Sequence, residues 1–472
     1  MTQKPRQKSF DRSIVEGPIA AAVGKLAWPT VLQNVIGGMQ GVVDHALVGH
    51  YVGFTGNAAV GVSLQIFIVV IVFVMSLYTG MGVLVSRATG AGDHETVNRV
   101  VYQGFLASLM LSLLVLAPIG WFAAPWLLEL VNATAEVREE ALPFLRTMLV
   151  GGIGMMMFFM LGGALRAAGD ARTPLRLGVA MTALNIGLNV ALITGLGPLP
   201  ALGTVGAAVG TVIAGVLVSG TGFALLLSGR LVVAWHRGMD WRPDWVIIRQ
   251  IFRFGLPTGL QGIAMNIAGI MLLRFIGSLP LSAQTQAAYA IGYTELFSFI
   301  TWTSVGLMGA AAAVAGQNLG ANQPDRAERA VNIAARFGLG IAAFVGLFFL
   351  AIPNQLYGIF GMQDALVVGI GRELLRWLSL SGLFITVALT FTGGLQGTGD
   401  TKGPLYISII SQIGVPLGIC AVLQATTGLS ATGIWIAIVV GHMTRAALTV
   451  ARFRRGKWRT IDIGLPSGRA AS

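Results

Sequence analysis

Long apolar stretches recur from one end of this chain to the other. Each is long enough to cross a lipid bilayer, which takes about 20 residues as a helix. That feature leaves few folds open. In hydrocarbon every backbone N–H and C=O needs a partner inside the protein, so stretches of this kind form helices. Composition agrees: 55% of the 472 residues are hydrophobic and 11% are charged, less than half the roughly 25% charged in soluble domains. The chain reads as an all-α polytopic membrane protein. Twelve transmembrane helices are expected, over about 25–48, 57–85, 100–124, 141–165, 175–197, 203–229, 249–276, 284–316, 330–352, 373–394, 404–425 and 430–450.

The formal net charge of +12 follows the same plan. Twelve crossings put both termini on one side. Of the 31 Lys and Arg residues, only Arg138, Arg146, Arg274, Arg372 and Arg376 then fall on the other. Basic residues collect on the cytoplasmic side, so both termini are expected there. Arg445 is counted with them, as the first of a C-terminal basic group ending at Arg469. The charge is a topology signal and argues for no nucleic-acid partner. The single cysteine, Cys420, lies in an apolar stretch and can form no internal disulfide.

The chain is written twice. The stretch GALRAAGDARTPL at 163–175 returns as GGLQGTGDTKGPL at 393–405. Likewise SRATGAGDHETVNRVV at 86–101 returns as GQNLGANQPDRAERAV at 316–331, and LAWPTVLQ at 26–33 as FGLPTGLQ at 254–261. The offsets are 230, 230 and 228 residues. Two six-helix bundles are therefore expected, 1–230 and 246–472, joined by a cytoplasmic linker over 231–245. Because the repeat is even in helices, the halves run parallel, related by a pseudo-two-fold along the membrane normal, an architecture suited to alternating-access transport. The repeated Gly-Asp loops read as turns, with Gly169 and Gly399 at helix C-caps and Pro174 and Pro404 opening the next helices.

These residues resemble the multidrug and toxic compound extrusion (MATE) family over nearly the whole length. The resemblance rests on PTVLQNVIGGMQGVVDHALVGHYV in the first helix, on the two Gly-Asp loops, and on AAAVAGQNLGANQPDRAERAV after the eighth. It implies a V-shaped pair of six-helix bundles that exports organic cations and other amphipathic drugs in exchange for H⁺ or Na⁺. It also implies a bacterial inner (plasma) membrane, no enzymatic activity and no cofactor beyond the coupling ion. A monomer in membrane lipid, handling small molecules, is the expected state.

Asp44 carries the sharpest signal. Counting back along a helix, Gln40, Gly37 and Gln33 share its face, with Gly41 alongside. Intramembrane carboxylates are costly and commonly mark an ion or proton path. The fifth helix offers Thr182, Asn185 and Asn189 on one face, and the sixth adds Thr211. A carboxylate among amide and hydroxyl oxygens suits a hard cation, and a carboxylate withdrawn from water also takes up a proton more readily. The resemblance carries the family's cation site onto Asp44, Asn185, Asn189 and Thr211. Some members have Asp at the position of Asn189, so here Asp44 is the only acid of the set, and Na⁺ at Asp44 is the one metal ion expected. The repeat serves as an internal control: Asp44 maps to Leu272, Gln40 to Ala268, Asn185 to Val415 and Asn189 to Ile419. The first half holds something the second does not.

Other positions are expected at a substrate cleft: Gln33, Gln40, Tyr293, Glu295 and Trp302. Glu295 would attract cationic drugs, or pair with Arg274, and the aromatics could offer cation–π faces. An acidic site in helices seven and ten, present in some relatives, is expected to be missing. A flippase for lipid-linked precursors is the alternative transporter, although a strongly cationic interior would be expected of one. A non-transporting scaffold would need no asymmetric polar pocket.

Overall fold

The computed structural model describes residues 7–131, 133–197, 200–236 and 238–464. It is all helical, and we number the long segments α1 (Ile19–Tyr51), α2 (Phe54–Gly90), α3 (His94–Leu130), α4 (Ala135–Gly151 with Ile153–Ala167), α5 (Arg172–Thr194) and α6 (Gly203–Leu227). The second half gives α7 (Trp245–Gly277), α8 (Ser282–Gly320), α9 (Pro324–Ala351), α10 (Ala365–Thr398), α11 (Lys402–Ala425) and α12 (Ala431–Arg454). Ten of these, among the described residues, are long and apolar enough to span a membrane. The eleventh is α4, bent by 46° between its two parts, and α2, 37 residues long, completes the expected twelve. The outer surface is apolar, as a lipid-facing protein requires: Phe122 is 80% exposed and Ile359 76%.

The internal repeat reappears as matched turns. After α4, the N–H of Gly169 donates to Arg166 O and that of Asp170 to Leu165 O; after α10, Gly399 donates to Gln396 O and Asp400 to Leu395 O. Both glycines sit at positive φ, 93° and 104°, a conformation that costs an L side chain energy. The second pair of turns matches too: Gly92 and Asn322, 230 positions apart in the sequence, both have positive φ. In both Gly-Asp loops the aspartate accepts a backbone N–H three residues on, from Thr173 at 3.0 Å and from Gly403 at 3.1 Å. The second loop adds an ion pair, Asp400 with Arg452 at 2.6 Å.

The chain forms two compact units. Among the described residues, the first comprises 7–12, 35–259 and 463–464, and the second 13–34 and 260–462. Both α1 and α7 therefore contribute residues to each unit. In the first unit, the start of α7 packs on α2 so closely that a Cβ at Gly80 would meet Ile251 O at 1.9 Å, and one at Gly255 would meet Ser76 O at 2.1 Å. Asp244 holds Arg99 at 2.7 Å beside this seam. The first unit's core gathers Val48, Phe67, Leu128, Phe144, Leu145 and Ile193. In the second unit, the start of α1 packs on α8, where a Cβ at Gly306 would meet Val31 at 2.7 Å. Arg326 of α9 donates to the backbone carbonyls of Ile14 and Gly17. This unit's core gathers Tyr289, Phe297, Ile300, Tyr357, Leu374 and Trp435.

Candidate functional site

Within the first unit, α1, α5 and α6 bring a chain of polar side chains together in an otherwise apolar bundle. Asn189 of α5 donates through Nδ2 to Asp44 Oδ1 of α1 at 2.8 Å. The same amide lies 3.3 Å from Asn185 Oδ1, one turn earlier. Asn185 in turn donates to Thr211 Oγ1 of α6 at 2.8 Å, and Thr211 donates to the carbonyl of Ala207 at 2.9 Å. Both asparagines are fully buried, and Asp44 is half-buried. Close approach of the helices is what makes this possible. At Gly210 of α6, a Cβ would stand 2.1 Å from Asn189 Oδ1.

The direction of these bonds leaves oxygen facing inward. Asn189 spends its donors on Asp44 and Asn185, and its Oδ1 is buried with no hydrogen-bond partner. A buried acceptor without a donor is costly and uncommon. Beside a carboxylate, such an oxygen is ready to coordinate a cation or to accept from a protonated group. One turn before Asp44, Gln40 Oε1 accepts from Thr182 of α5 at 3.1 Å, extending the same polar seam. One residue after it, His45 Nδ1 lies 2.7 Å from Asn57 Oδ1 of α2.

The repeat-related positions carry apolar packing instead. Leu272, opposite number of Asp44, lies in the second unit's hydrophobic core, and Ile419, opposite number of Asn189, packs against it. Ala268 is buried as well. Gln33 falls in the part of α1 that belongs to the second unit.

The second unit gathers different residues. Glu295 and Arg274, for which pairing was one of two readings, form no ion pair among the described residues. Tyr293 lies in a π-helical stretch of α8, Ala290–Leu296, and stacks on Tyr289 at 4.9 Å and Phe297 at 5.4 Å. Trp302 sits nine residues further on, its carbonyl 3.5 Å from Asn34 Nδ2 and its ring beside Phe299. Asn266 of α7 turns back to the carbonyl of Gly262 at 3.0 Å. The acid of α10, Glu373, accepts from Thr432 at 2.5 Å. One residue departs from the sequence reading. Arg445, counted with the cytoplasmic basic tail, is instead buried within α12 at 3% exposure. Hydropathy could not separate it from Arg452 and Arg454, which do lie in the last turn of the helix.

The MatE family model matches residues 29–191 and 257–422 of the chain. The chain is 26% identical over 435 residues to a probable multidrug resistance protein NorM of Thermotoga maritima, covering 92% of both proteins. It is 25% identical to the multidrug resistance protein MdtK of Pectobacterium atrosepticum, over 92% of this chain and 95% of that one. Among solved structures, an outward-facing multidrug resistance MATE family transporter of the MOP superfamily superposes with a TM-score of 0.87 at 23% identity, over 98% of this chain and all of that one. A MOP superfamily transporter from Pyrococcus furiosus gives the same TM-score at 24% identity, over 96% of this chain.

Proposed function

The chain belongs to the MatE family and is a membrane-spanning multidrug efflux antiporter, and on that premise we propose that the polar chain around Asp44 is its coupling-ion site. The transported molecules are organic cations and amphipathic compounds, exchanged for H⁺ or Na⁺. The membrane is the bacterial inner membrane, with both termini cytoplasmic, a side that the basic residue bias supports. The observation that carries the reading is the unpartnered buried oxygen of Asn189 beside the Asp44 carboxylate.

The residues divide the work. Asp44 supplies the charge that balances the incoming cation. Asn189 holds the carboxylate by its amide N–H and offers its own oxygen, while Asn185 and Thr211 fix the orientation of Asn189. A bound ion would relieve the buried charge and the buried acceptor together, so occupancy favours whichever arrangement of the chain keeps the site closed. Drug binding favours another. Each ligand then shifts the equilibrium by its differential affinity for the two.

Ethidium efflux from proteoliposomes under an imposed pH or Na⁺ gradient tests this. Wild type should export ethidium under one of the two gradients, which names the ion. Asp44→Asn should fold and bind ethidium yet lose gradient-driven export. Equal export by both proteins would make Asp44 a structural residue.

A further inference from the structure

Arg445 is an anomaly for a protein that exports cations. Its guanidinium stays protonated under all ordinary conditions, and it is 3% exposed, more than two turns before α12 ends at Arg454. It does not reach the solvent as Arg452 does, and Arg452 has Asp400. None of the ion pairs or hydrogen bonds among the described residues uses the Arg445 guanidinium, and its Nε is buried without a partner. Among the described acids of this unit, Glu373 holds Thr432, Asp325 and Glu328 hold Arg459, Asp400 holds Arg452 and Asp364 caps α10, while Glu295 makes no ion pair with Arg445. A buried charge of this kind requires a counter-charge.

Its neighbours describe the ligand. Trp435, Tyr289, Tyr293, Phe297 and His442 form a continuous ladder of stacked rings, with successive centroids 6.1, 4.9, 5.4 and 6.0 Å apart. His442 is fixed by Ser381 of α10. His442, the last ring of the ladder, precedes Arg445 by three residues on α12, which puts the two side chains on one face of that helix. The ladder runs through the π-helical stretch of α8, a local widening that recurs at functional sites. Tyr293 is only partly buried, so the ladder is not sealed along its whole length. A cationic drug head at Tyr293 would meet a like charge.

We propose that the second unit holds an anion-binding site at Arg445, which takes the carboxylate of a transported aromatic compound while the compound's ring packs beside Tyr293. This deepens the transport reading above and rests on it: Arg445 becomes the residue that holds the carboxylate of such a substrate. The planar guanidinium fork suits a carboxylate through two parallel N–H···O bonds.

The test uses naphthylalanine, a zwitterion, and its methyl ester, which keeps the amine and the ring but has no carboxylate. Binding of each to the full-length protein in lipid nanodiscs is followed by tryptophan fluorescence, for wild type, Arg445→Gln and Arg445→Lys. Wild type should bind the acid about tenfold or more tightly than the ester. Arg445→Gln should erase that preference and Arg445→Lys should keep part of it, which guards against a variant that simply misfolds. Equal binding of acid and ester by wild type, or an unchanged preference in Arg445→Gln, overturns the proposal. Displacement of the acid by millimolar chloride in wild type alone would assign the site to an inorganic anion and overturn it as well. Failure of wild-type ethidium efflux would instead strike the transport reading, since the binding preference is measured without any gradient.

Discussion

At the scale of single residues, the polar seam of the first unit depends on what is missing as much as on what is present. Asn189 can reach Asp44 because Gly210 has no side chain. Overpacking a close-fitted interior costs about 1–3 kcal/mol, and here the displaced group would be the Asn189 amide itself. Gly210→Ala is therefore expected to lower gradient-driven efflux about tenfold with helical content intact by circular dichroism; efflux at the wild-type rate would show that the Asn189 position is not needed. The members of this seam were legible in the sequence, because a carboxylate and amides at helical spacing stand out in an apolar run. Arg445 was not. A basic residue shortly before a basic tail looks like part of that tail, and only the packing of α8 and α10 around α12 puts it in the interior. Nor could spacing alone reveal that Glu295 and Arg274, on different helices, leave each other unpaired.

At the scale of elements, the two halves keep the same turns but hold them differently. Both Gly-Asp loops use a positive-φ glycine and an aspartate that caps the next helix, and both were readable from their shared sequence. The ion pair between Asp400 and Arg452 was not readable, since it links a loop to a helix 52 positions away. It makes the second loop the more demanding of the two. Loss of a capping side chain costs about 1 kcal/mol, and a charged hydrogen bond adds about 1.5–3 kcal/mol when well formed, reduced here because Arg452 is partly exposed. Asp400→Ala should thus lower the thermal midpoint of the purified protein more than Asp170→Ala. Equal midpoints would mean that the ion pair contributes nothing to stability.

At the scale of the whole molecule, the number of helices and the repeat follow from hydropathy and spacing, whereas the sharing of α1 and α7 does not. Nothing in a repeated sequence says which copy a helix will pack against. The first unit needs Trp245–Gly259, which lie beyond the linker, and the second needs Ser13–Asn34 from the start of the chain. Cutting the chain between His236 and Asp240 should therefore leave the N-terminal fragment unstable when expressed alone, and protected from protease when both fragments are co-expressed. A monodisperse, protease-resistant N-terminal fragment would contradict this dependence. The exchanged segments are also counterparts in the repeat, LAWPTVLQ lying in one and most of FGLPTGLQ in the other. A half-length polypeptide with this pattern would be complete only as a pair of copies lending each other their first helices, as domain-swapped dimers do. Duplication and fusion of such a gene would then have preserved a partnership already in place, turning two interlocked subunits into one chain without inventing a new contact.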